Sequence, residues 1–323
     1  MNTIIHKTFE KCKGNDIIRL MISKYNYKGL TWVDLESPTE DEIRHIMEEY
    51  SIPVLVAEEI HSKSLQSKVD LYPNFIYLIL HFPYLSHHKN NSTEKEIDFI
   101  VGKDFIITSH YEFIEPLHEF TKTFEVDAIL EKRIDVDHAG FLFFHLIKTM
   151  YVHSRYQLNG INSQLKDAEN KIFEGTEAKM VAIISNINRT LLDFRQALRF
   201  HNEVLNSFES STKQFFGEKF SYYSSSIISE YNKTQSMLDS HKEILDDLRD
   251  TNDSLLANKT NETMKILTII TFLISPITVI SSIFMINTSF PLITSVPQFF
   301  IVLGAMFLTS VVTFIYFKFK KWL

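Results

Sequence analysis

A row of small and polar side chains runs along one face of a predicted helix near the C-terminal end of the sequence. Its hydroxyl residues recur at alternating spacings of three and four, which places them on a single helical face. They are Thr268, Thr271, Ser275, Thr278 and Ser282. The same spacing continued backwards reaches Met264, Asn261, Ala257, Ser254 and Asp250. Hydroxyl, amide and carboxylate oxygens accept hydrogen bonds from the water shell of a cation, so this face could line a path for hydrated ions.

Two functions are open for this face. Small and hydroxyl residues at such spacings also pack membrane helices together, and their hydroxyls can bond to their own backbone. The continuation of the face to the acidic Asp250 favours an ion path, because packing within a bilayer does not require it. Two membrane spans cannot enclose a pore, so an ion path requires a symmetric ring of several chains. Pro276, which removes one backbone hydrogen bond, is compatible with both functions.

The element that carries this face is one half of a predicted membrane hairpin. The 52 residues from Ile266 to Phe317 contain no Asp, Glu, Lys, Arg or His. A single helix of that length would measure about 78 Å, whereas the hydrocarbon core of a bilayer is only about 30 Å thick. The run must therefore turn back, and TSFPLITSVP at 288–297 supplies the turn. The spans are predicted at 264–287 and 297–317. Together with the basic C-terminal tail they form the membrane region, residues 264–323.

Charges flanking the hairpin predict its orientation. Lys318, Lys320 and Lys321 follow the second span, whereas residues 288–296 contain no basic side chain. Because basic residues stay on the cytosolic side, we expect both termini in the cytosol and the loop outside the plasma membrane. Cys12 is the only cysteine, so no intrachain disulfide can form, which suits a reducing cytosol.

Two cytosolic regions precede the hairpin. Residues 1–135 predict an α+β domain in α/β/α layers, with strands at 31–36 and 75–82, a β-hairpin over 96–110, and a helix capped by Ser37 or Thr39. Residues 136–263 predict a helical stalk with helices over 141–173 and 184–208 and a third from near Ser224 into the membrane. Leu238, Leu245, Leu248 and Leu255 form a coiled-coil seam that His241 and Asn252 interrupt.

Composition excludes other classes of function. The formal net charge is −7 and no basic stripe is present, so no nucleic-acid partner is expected. The sequence has no Gly-rich phosphate loop, no G-x-S-x-G and no H-E-x-x-H, so we do not expect an enzyme.

The C-terminal motifs resemble those of CorA-type magnesium channels. The stretch NETMKILTIITFLISPITVISSIFMIN at 261–287, followed by a second span and KKWL, is similar to the end of that family. TWVDLESPTEDE at 31–42 and the FRQAL segment also match, so the resemblance covers nearly the whole chain. It implies a funnel-shaped homopentamer in the lipid bilayer that transports Mg²⁺, or Co²⁺, through a pore lined by the first span. It also implies roles for Met264 and Leu267 as hydrophobic gate rings and for Thr278 and Ser282 as polar pore rings.

The outer mouth departs from the family pattern. Asn287 stands where the family holds a hydrated cation, which suits Mg²⁺ because that ion dehydrates reluctantly. The family sequence Y-G-M-N is Phe284-Met285-Ile286-Asn287 here, and the 288–297 loop lacks the usual acid. Alternatives to Mg²⁺ transport are therefore a non-conducting regulatory or structural paralogue, or a transporter of altered selectivity such as Zn²⁺.

The resemblance further implies a regulatory divalent-metal site in the cytosolic part. Glu58 and Glu59 match its first set of carboxylates, and Glu230 lies beside the positions of the second. A solvated helix face is the alternative for Glu58 and Glu59. Asp250 matches a stalk acid of the family and also lies on the polar face.

Overall fold

The computed structural model describes residues 6–7, 22–27, 29–85, 92–129, 138–285 and 296–320. They fall into two compact units. The first comprises the described residues up to Glu174 together with Lys179–Leu248, and the second comprises Gly175–Ala178 and the described residues from Arg249 onward. Cys12, Asn287, the 288–295 part of the loop and Lys321 lie outside the described residues.

The first unit is built on a mixed sheet in which seven strands are described, in the order β1-β2-β3-β7-β6-β5-β4. All neighbouring pairs are antiparallel except β3 and β7, which are parallel. The strands are β1 (His6–Lys7), β2 (Ile22–Tyr27), β3 (Leu30–Glu36), β4 (Lys68–Leu71), β5 (Phe75–Leu85), β6 (Ser92–Gly102) and β7 (Phe105–His110). The predicted strands at 31–36 and 75–82 and the hairpin over 96–110 are confirmed.

Helices cover both faces of the sheet. On one face, α1 (Glu40–Tyr50) and α2 (Val54–His61) bury Ile43, Ile46 and Ile60 against the sheet. On the other face lie α3 (Glu115–Ile129) and α4 (Ala139–Phe173), where the ring of Trp32 lies 5.6 Å from that of Phe120. The run FIYLILHF is apolar without alternation because β5 is buried on both faces. This is the α/β/α arrangement that the sequence predicts.

The first helix begins at a capping box. Thr39 accepts a hydrogen bond from the backbone N–H of Glu42, and the Glu42 carboxylate accepts one from the backbone N–H of Thr39. Two backbone donors of the first helical turn are satisfied in this way. Of the two predicted caps, Thr39 is the residue used.

After α3 the chain continues with α4, α5 (Glu177–Leu198), α6 (His201–Phe216) and α7 (Ser221–Met285). The prediction of one helix over 184–208 is wrong, because a turn at Arg199–Phe200 separates α5 from α6. The break allows His201 to turn inward and bond to His81 and Tyr151. Helix α7 confirms the third predicted helix. Of its predicted seam, Leu238, Leu245 and Leu248 are buried, whereas Leu255 is half-buried.

The second unit contains the C-terminal part of α7 and α8 (Val296–Phe319). Two helices of the described chain, α7 and α8, are long and apolar enough to cross a membrane. The Ser310 hydroxyl donates to the Leu273 carbonyl at 3.3 Å, and the rings of Phe272 and Phe317 lie 5.7 Å apart. The two helices therefore pack directly on each other through the face of α7 that bears Leu273.

Candidate functional site

The polar face of α7 points away from α8. Thr271, Ser275, Thr278 and Ser282 are all exposed. Ile269, which is 5% exposed, and Leu273 lie on the opposite side of the helix, where α8 packs. Because α8 covers only the apolar side, the polar face of this hairpin is free to meet other chains or an aqueous path.

The hydroxyls on this face donate to their own backbone. Thr271 donates to the Leu267 carbonyl at 2.9 Å, Thr278 to the Ser275 carbonyl at 2.8 Å, and Ser282 to the Thr278 carbonyl at 2.8 Å. Each hydroxyl proton is used within the helix, so the oxygen presents only lone pairs outward. An acceptor-only surface suits cations, because the water molecules around a cation point their hydrogens outward.

The same face continues towards the N-terminal part of α7 with side chains that are also exposed. Met264 and Leu267 are each 56% exposed, as are other large apolar side chains of this helix such as Ile266, which is 59% exposed. Asn261 and Asp250 are exposed on the preceding turns. All the predicted pore-lining residues in the described region are therefore exposed, whereas Thr268 of the same row is half-buried.

A salt bridge fixes the start of α5 against this part of α7. The Lys259 ammonium lies 3.1 Å from the Glu177 carboxylate and donates to the Gly175 carbonyl at 3.3 Å. A hydrogen bond from the backbone N–H of Glu177 and the Lys259 ammonium lower the pKa of the Glu177 carboxyl. Within the second unit, this ion pair joins α5 to α7 two residues before Asn261 and five before Met264 of the predicted gate.

Of the four residues predicted to form the outer mouth, only the first two lie within the described part of the chain. Phe284 and Met285 form the last turn of α7, whereas Ile286 and Asn287 lie beyond the described part of the chain. The role of Asn287 stays a prediction from the sequence.

The predicted regulatory carboxylates do not form a metal cluster within one chain. Glu58 is exposed on α2, and Glu59 pairs with Lys68 at 2.7 Å. Glu230 is buried on α7, and its two carboxylate oxygens bond Arg155 at 2.6 Å and Lys233 at 2.8 Å. Among the described residues, no group of three or more His, Cys, Asp or Glu side chains is placed to hold a metal ion.

The ion pair between Glu230 and Arg155 was not predicted from the sequence. Arg155 lies on α4, donates from a second nitrogen to the Thr234 hydroxyl at 3.1 Å, and so ties α4 to α7. Its neighbours one helical turn away, Tyr151 and Leu158, are fully buried. An arginine at the margin of a buried face is the only local signal of such a pair.

Comparison with known proteins gives consistent results over most of the chain. The family described as CorA-like Mg²⁺ transporter protein matches residues 27–321. The chain is 24% identical over 298 residues to the cobalt/magnesium transport protein CorA of Thermotoga maritima, covering 91% of this chain and 83% of that protein. It is 23% identical over 324 residues to the protein of the same description from Methanocaldococcus jannaschii, covering 96% and 98%.

The fold is shared as well. The complete structure of the CorA magnesium transporter from Methanocaldococcus jannaschii matches with a TM-score of 0.79 at 19% identity, covering 94% of this chain and 98% of that one. The predicted fold class is confirmed: an α+β domain, a set of long helices and two C-terminal apolar helices.

Proposed function

Because this chain belongs to the CorA-like Mg²⁺ transporter family, we propose that it transports divalent cations, Mg²⁺ first and Co²⁺ or similar ions second. The transporter is a homopentamer in the plasma membrane, with both termini cytosolic. Helix α7 of each chain lines the pore, and α8 forms an outer ring. No enzymatic step is part of this function, and Mg²⁺ is the transported ion.

The uncovered polar face of α7 is the observation that carries the proposal. Thr271, Thr278 and Ser282 present hydroxyl oxygens on the side of α7 opposite α8. Rings of these oxygens around a symmetry axis would accept hydrogen bonds from the shell of a hydrated Mg²⁺. Asn287 would hold the hydrated ion at the outer mouth through its amide oxygen, beside Phe284, Met285 and Ile286.

A regulatory role for divalent ions belongs to the same proposal. Glu58 and Glu59 of one chain would share an ion with the stalk of a neighbouring chain near Glu230. Because Glu230 already bonds Arg155 and Lys233, it would have to exchange these partners for the ion. Glu58, which is exposed, is the more accessible ligand.

A matched pair of threonine variants tests the pore assignment. Thr278 and Thr309 each donate to the carbonyl three residues earlier, at 2.8 and 2.9 Å, but Thr309 lies on α8. Proteoliposomes loaded with a Mg²⁺-sensitive dye should show flux that Thr278→Val lowers by at least about tenfold, equivalent to about 1.4 kcal/mol on the barrier. Thr309→Val should leave the flux unchanged, and native mass spectrometry of the same preparation should give pentamers. Equal flux in both variants, or only monomers and dimers, would reject the pore.

One observation favours a second candidate. The mouth residues Met285 and Ile286 replace the family's Gly and Met, and the 288–297 loop carries no charge. Without that charge, cations are not concentrated at the entrance. A non-conducting paralogue with a regulatory or structural role would show no flux with Mg²⁺, Co²⁺ or Zn²⁺, whereas a member of altered selectivity would pass Zn²⁺ faster than Mg²⁺.

A further inference from the structure

A cavity in the cytosolic unit is not used by the proposed transport path. It has a volume of about 690 Å³ and opens to solvent between the end of α5, the middle of α7 and the segment that precedes β4. Small-molecule sites of proteins commonly measure about 300–1,000 Å³. Its principal lining residues are Ser67, His81, Arg195, Arg199, Phe200 and Tyr231.

Two arginines supply positive charge on one wall. Arg195 lies in the last turn of α5 and Arg199 in the turn that follows, four residues later. Both are exposed, and within the described part of the chain neither forms an ion pair, whereas Arg155 pairs with Glu230. The alternative explanation is structural, because positive charges are favoured at a helix C-terminus, and this accounts for one of the two arginines. Each guanidinium is a planar fork that can bond two phosphate oxygens, and this wall carries two of them.

The floor of the cavity is polar and fixed in position. His81 is 5% exposed, with Nδ1 3.1 Å from the Ser67 hydroxyl and Nε2 3.1 Å from the Ser64 carbonyl. A carboxylate oxygen of Glu96 lies 3.6 Å from Nε2 of His81. Glu94 is the acidic residue that lines the cavity itself. With two arginines against one lining carboxylate, the cavity favours an anionic ligand, and Glu94 on the β6 side directs that anion to the arginine wall.

The remaining walls suit a flat apolar group. Phe200 and Tyr231 line the cavity, and the Arg199 guanidinium lies 5.2 Å from the centre of the Phe200 ring. The amide of Gln235 also lines the cavity and bonds the Asp239 carboxylate at 3.1 Å. The aromatic base of a ligand can pack against such rings while the anionic group of the same ligand contacts the arginines.

We propose that this cavity binds a phosphorylated small molecule of nucleotide size. The phosphate oxygens accept from Arg195 and Arg199, and the base or other flat group packs against Phe200 and Tyr231. Because Arg195 belongs to α5 and Tyr231 to α7, the bound ligand joins these two helices. This site is independent of whether the protein conducts ions.

Calorimetric titration of the full-length protein in detergent tests the proposal. ATP is the probe, in buffer with EDTA so that binding of Mg²⁺ cannot contribute, and pyrophosphate and adenosine are titrated separately. We expect saturable ATP binding at one site per chain, and an affinity at least tenfold weaker in the double variant Arg195→Gln/Arg199→Gln. Arg189→Gln removes an exposed arginine of the same helix outside the cavity, and should bind like the wild type.

Two further measurements keep the test decisive. Should the double variant fail to fold, Arg199→Lys keeps the charge but loses the two-pronged donor geometry, and should weaken ATP binding severalfold. No binding of ATP or pyrophosphate would overturn the proposal. So would adenosine binding as tightly as ATP, or an affinity unchanged by both arginine variants, because the arginines would then contribute nothing.

Discussion

The Tyr151 hydroxyl lies 2.7 Å from Nδ1 of His201, deep between α4 and α6. Nε2 of the same ring lies 2.9 Å from the His81 carbonyl, which can only accept. Nε2 therefore carries the proton, and the Tyr151 hydroxyl donates to Nδ1. The neutral imidazole thus joins two helices to strand β5, and its position at the first residue of α6 explains why the helix predicted over 184–208 is broken.

His201 should make the first unit less stable in acid. Burial lowers the pKa of His201 to about 3, whereas a histidine in the unfolded chain has a pKa near its ordinary value of about 6.5. As the pH falls below about 6.5, the unfolded chain binds a proton that the folded chain does not. The free energy of unfolding should therefore fall by up to about 1.4 kcal/mol per pH unit until about pH 3.

The variant His201→Gln isolates this contribution, because a glutamine amide can still donate to the His81 carbonyl. Thermal unfolding of the full-length protein in detergent, followed by circular dichroism between pH 4.5 and pH 7, should show a shallower pH dependence than the wild type. His118→Gln, an exposed substitution on α3, should keep the wild-type dependence. Parallel curves for wild type and His201→Gln would mean that His201 is protonated in the folded state.

The sequence predicted the parts of this fold that depend on local pattern. Continuous apolar runs and a short turn identified β5 and the β6–β7 hairpin, and the absence of a stop signal after Ser224 identified α7. The break at Arg199–Phe200 has no Gly or Pro to mark it, because it arises from contacts of His201 with residues 50 and 120 positions away. The pair of Arg155 with Glu230 likewise joins residues 75 positions apart. The polar face was predictable because it follows the helical repeat.

Asp98 should make the free energy of unfolding fall as the pH rises, whereas His201 makes it fall as the pH decreases. It is 1% exposed, and neither carboxylate oxygen has a hydrogen-bond partner within the described part of the chain. Burial, followed by the charges of Glu96 and Glu59, raises the pKa of Asp98 well above its ordinary value. As the pH rises above about 4, the unfolded chain releases a proton that the folded chain keeps, so stability falls with rising pH.

Replacing Asp98 by Asn removes that penalty. The unfolding temperature of Asp98→Asn should match that of the wild type near pH 4 and exceed it increasingly as the pH rises to 8. The corresponding difference in the free energy of unfolding should grow by up to about 1.4 kcal/mol per pH unit. Asp104→Asn, at the exposed turn between β6 and β7, serves as the control and should follow the wild type. An Asp98→Asn protein less stable than wild type at pH 8 would show that the ionised carboxylate is stabilised in the folded state.

The ion pair of Arg155 with Glu230 is expected to be mainly structural. Glu230 is 9% exposed at its side chain and Arg155 is 21% exposed, so removing either leaves a charge with little water to solvate it. Arg155→Met and Glu230→Gln should each cost about 3 kcal/mol. The double variant should be more stable than the sum of the two single losses predicts. A double-mutant cycle measured by chemical denaturation should give a coupling energy of about 1–3 kcal/mol.

The same variants examine the regulatory-metal proposal. Because the proposal has Glu230 exchange Arg155 and Lys233 for the ion, Mg²⁺ should raise the unfolding temperature of Glu230→Gln less than it raises that of the wild type. Glu243→Gln on the exposed side of α7 is the matched control. An equal rise of the unfolding temperature with Mg²⁺ in Glu230→Gln, Glu243→Gln and the wild type would show that Glu230 is not a ligand of the ion.

The predicted orientation can be checked with single cysteines. Cys12→Ser removes the only native thiol, and Ser289→Cys then places one in the outer loop. A membrane-impermeant maleimide should label Ser289→Cys in intact cells, because the loop contains no basic residue to keep it in the cytosol. Ser62→Cys, exposed at the end of α2, should react only after lysis. The reverse pattern would invert the topology.

The last prediction concerns the outer mouth. If five Asn287 amides hold a hydrated Mg²⁺, the backbone before them must bring each amide to the axis, and glycine allows conformations that other residues resist. Met285 ends α7 at the position where the family has glycine. The double variant Met285→Gly/Ile286→Met should therefore raise Mg²⁺ flux into dye-loaded proteoliposomes by several-fold, whereas Asn287→Ala should lower it at least tenfold in either background. The uncharged loop predicts that flux depends only weakly on outside ionic strength, since no charge there is screened.

Equal flux in wild type and Asn287→Ala would remove Asn287 from the selectivity site. Absence of flux in the wild type and in the restored variant, with intact pentamers, would favour the non-conducting paralogue.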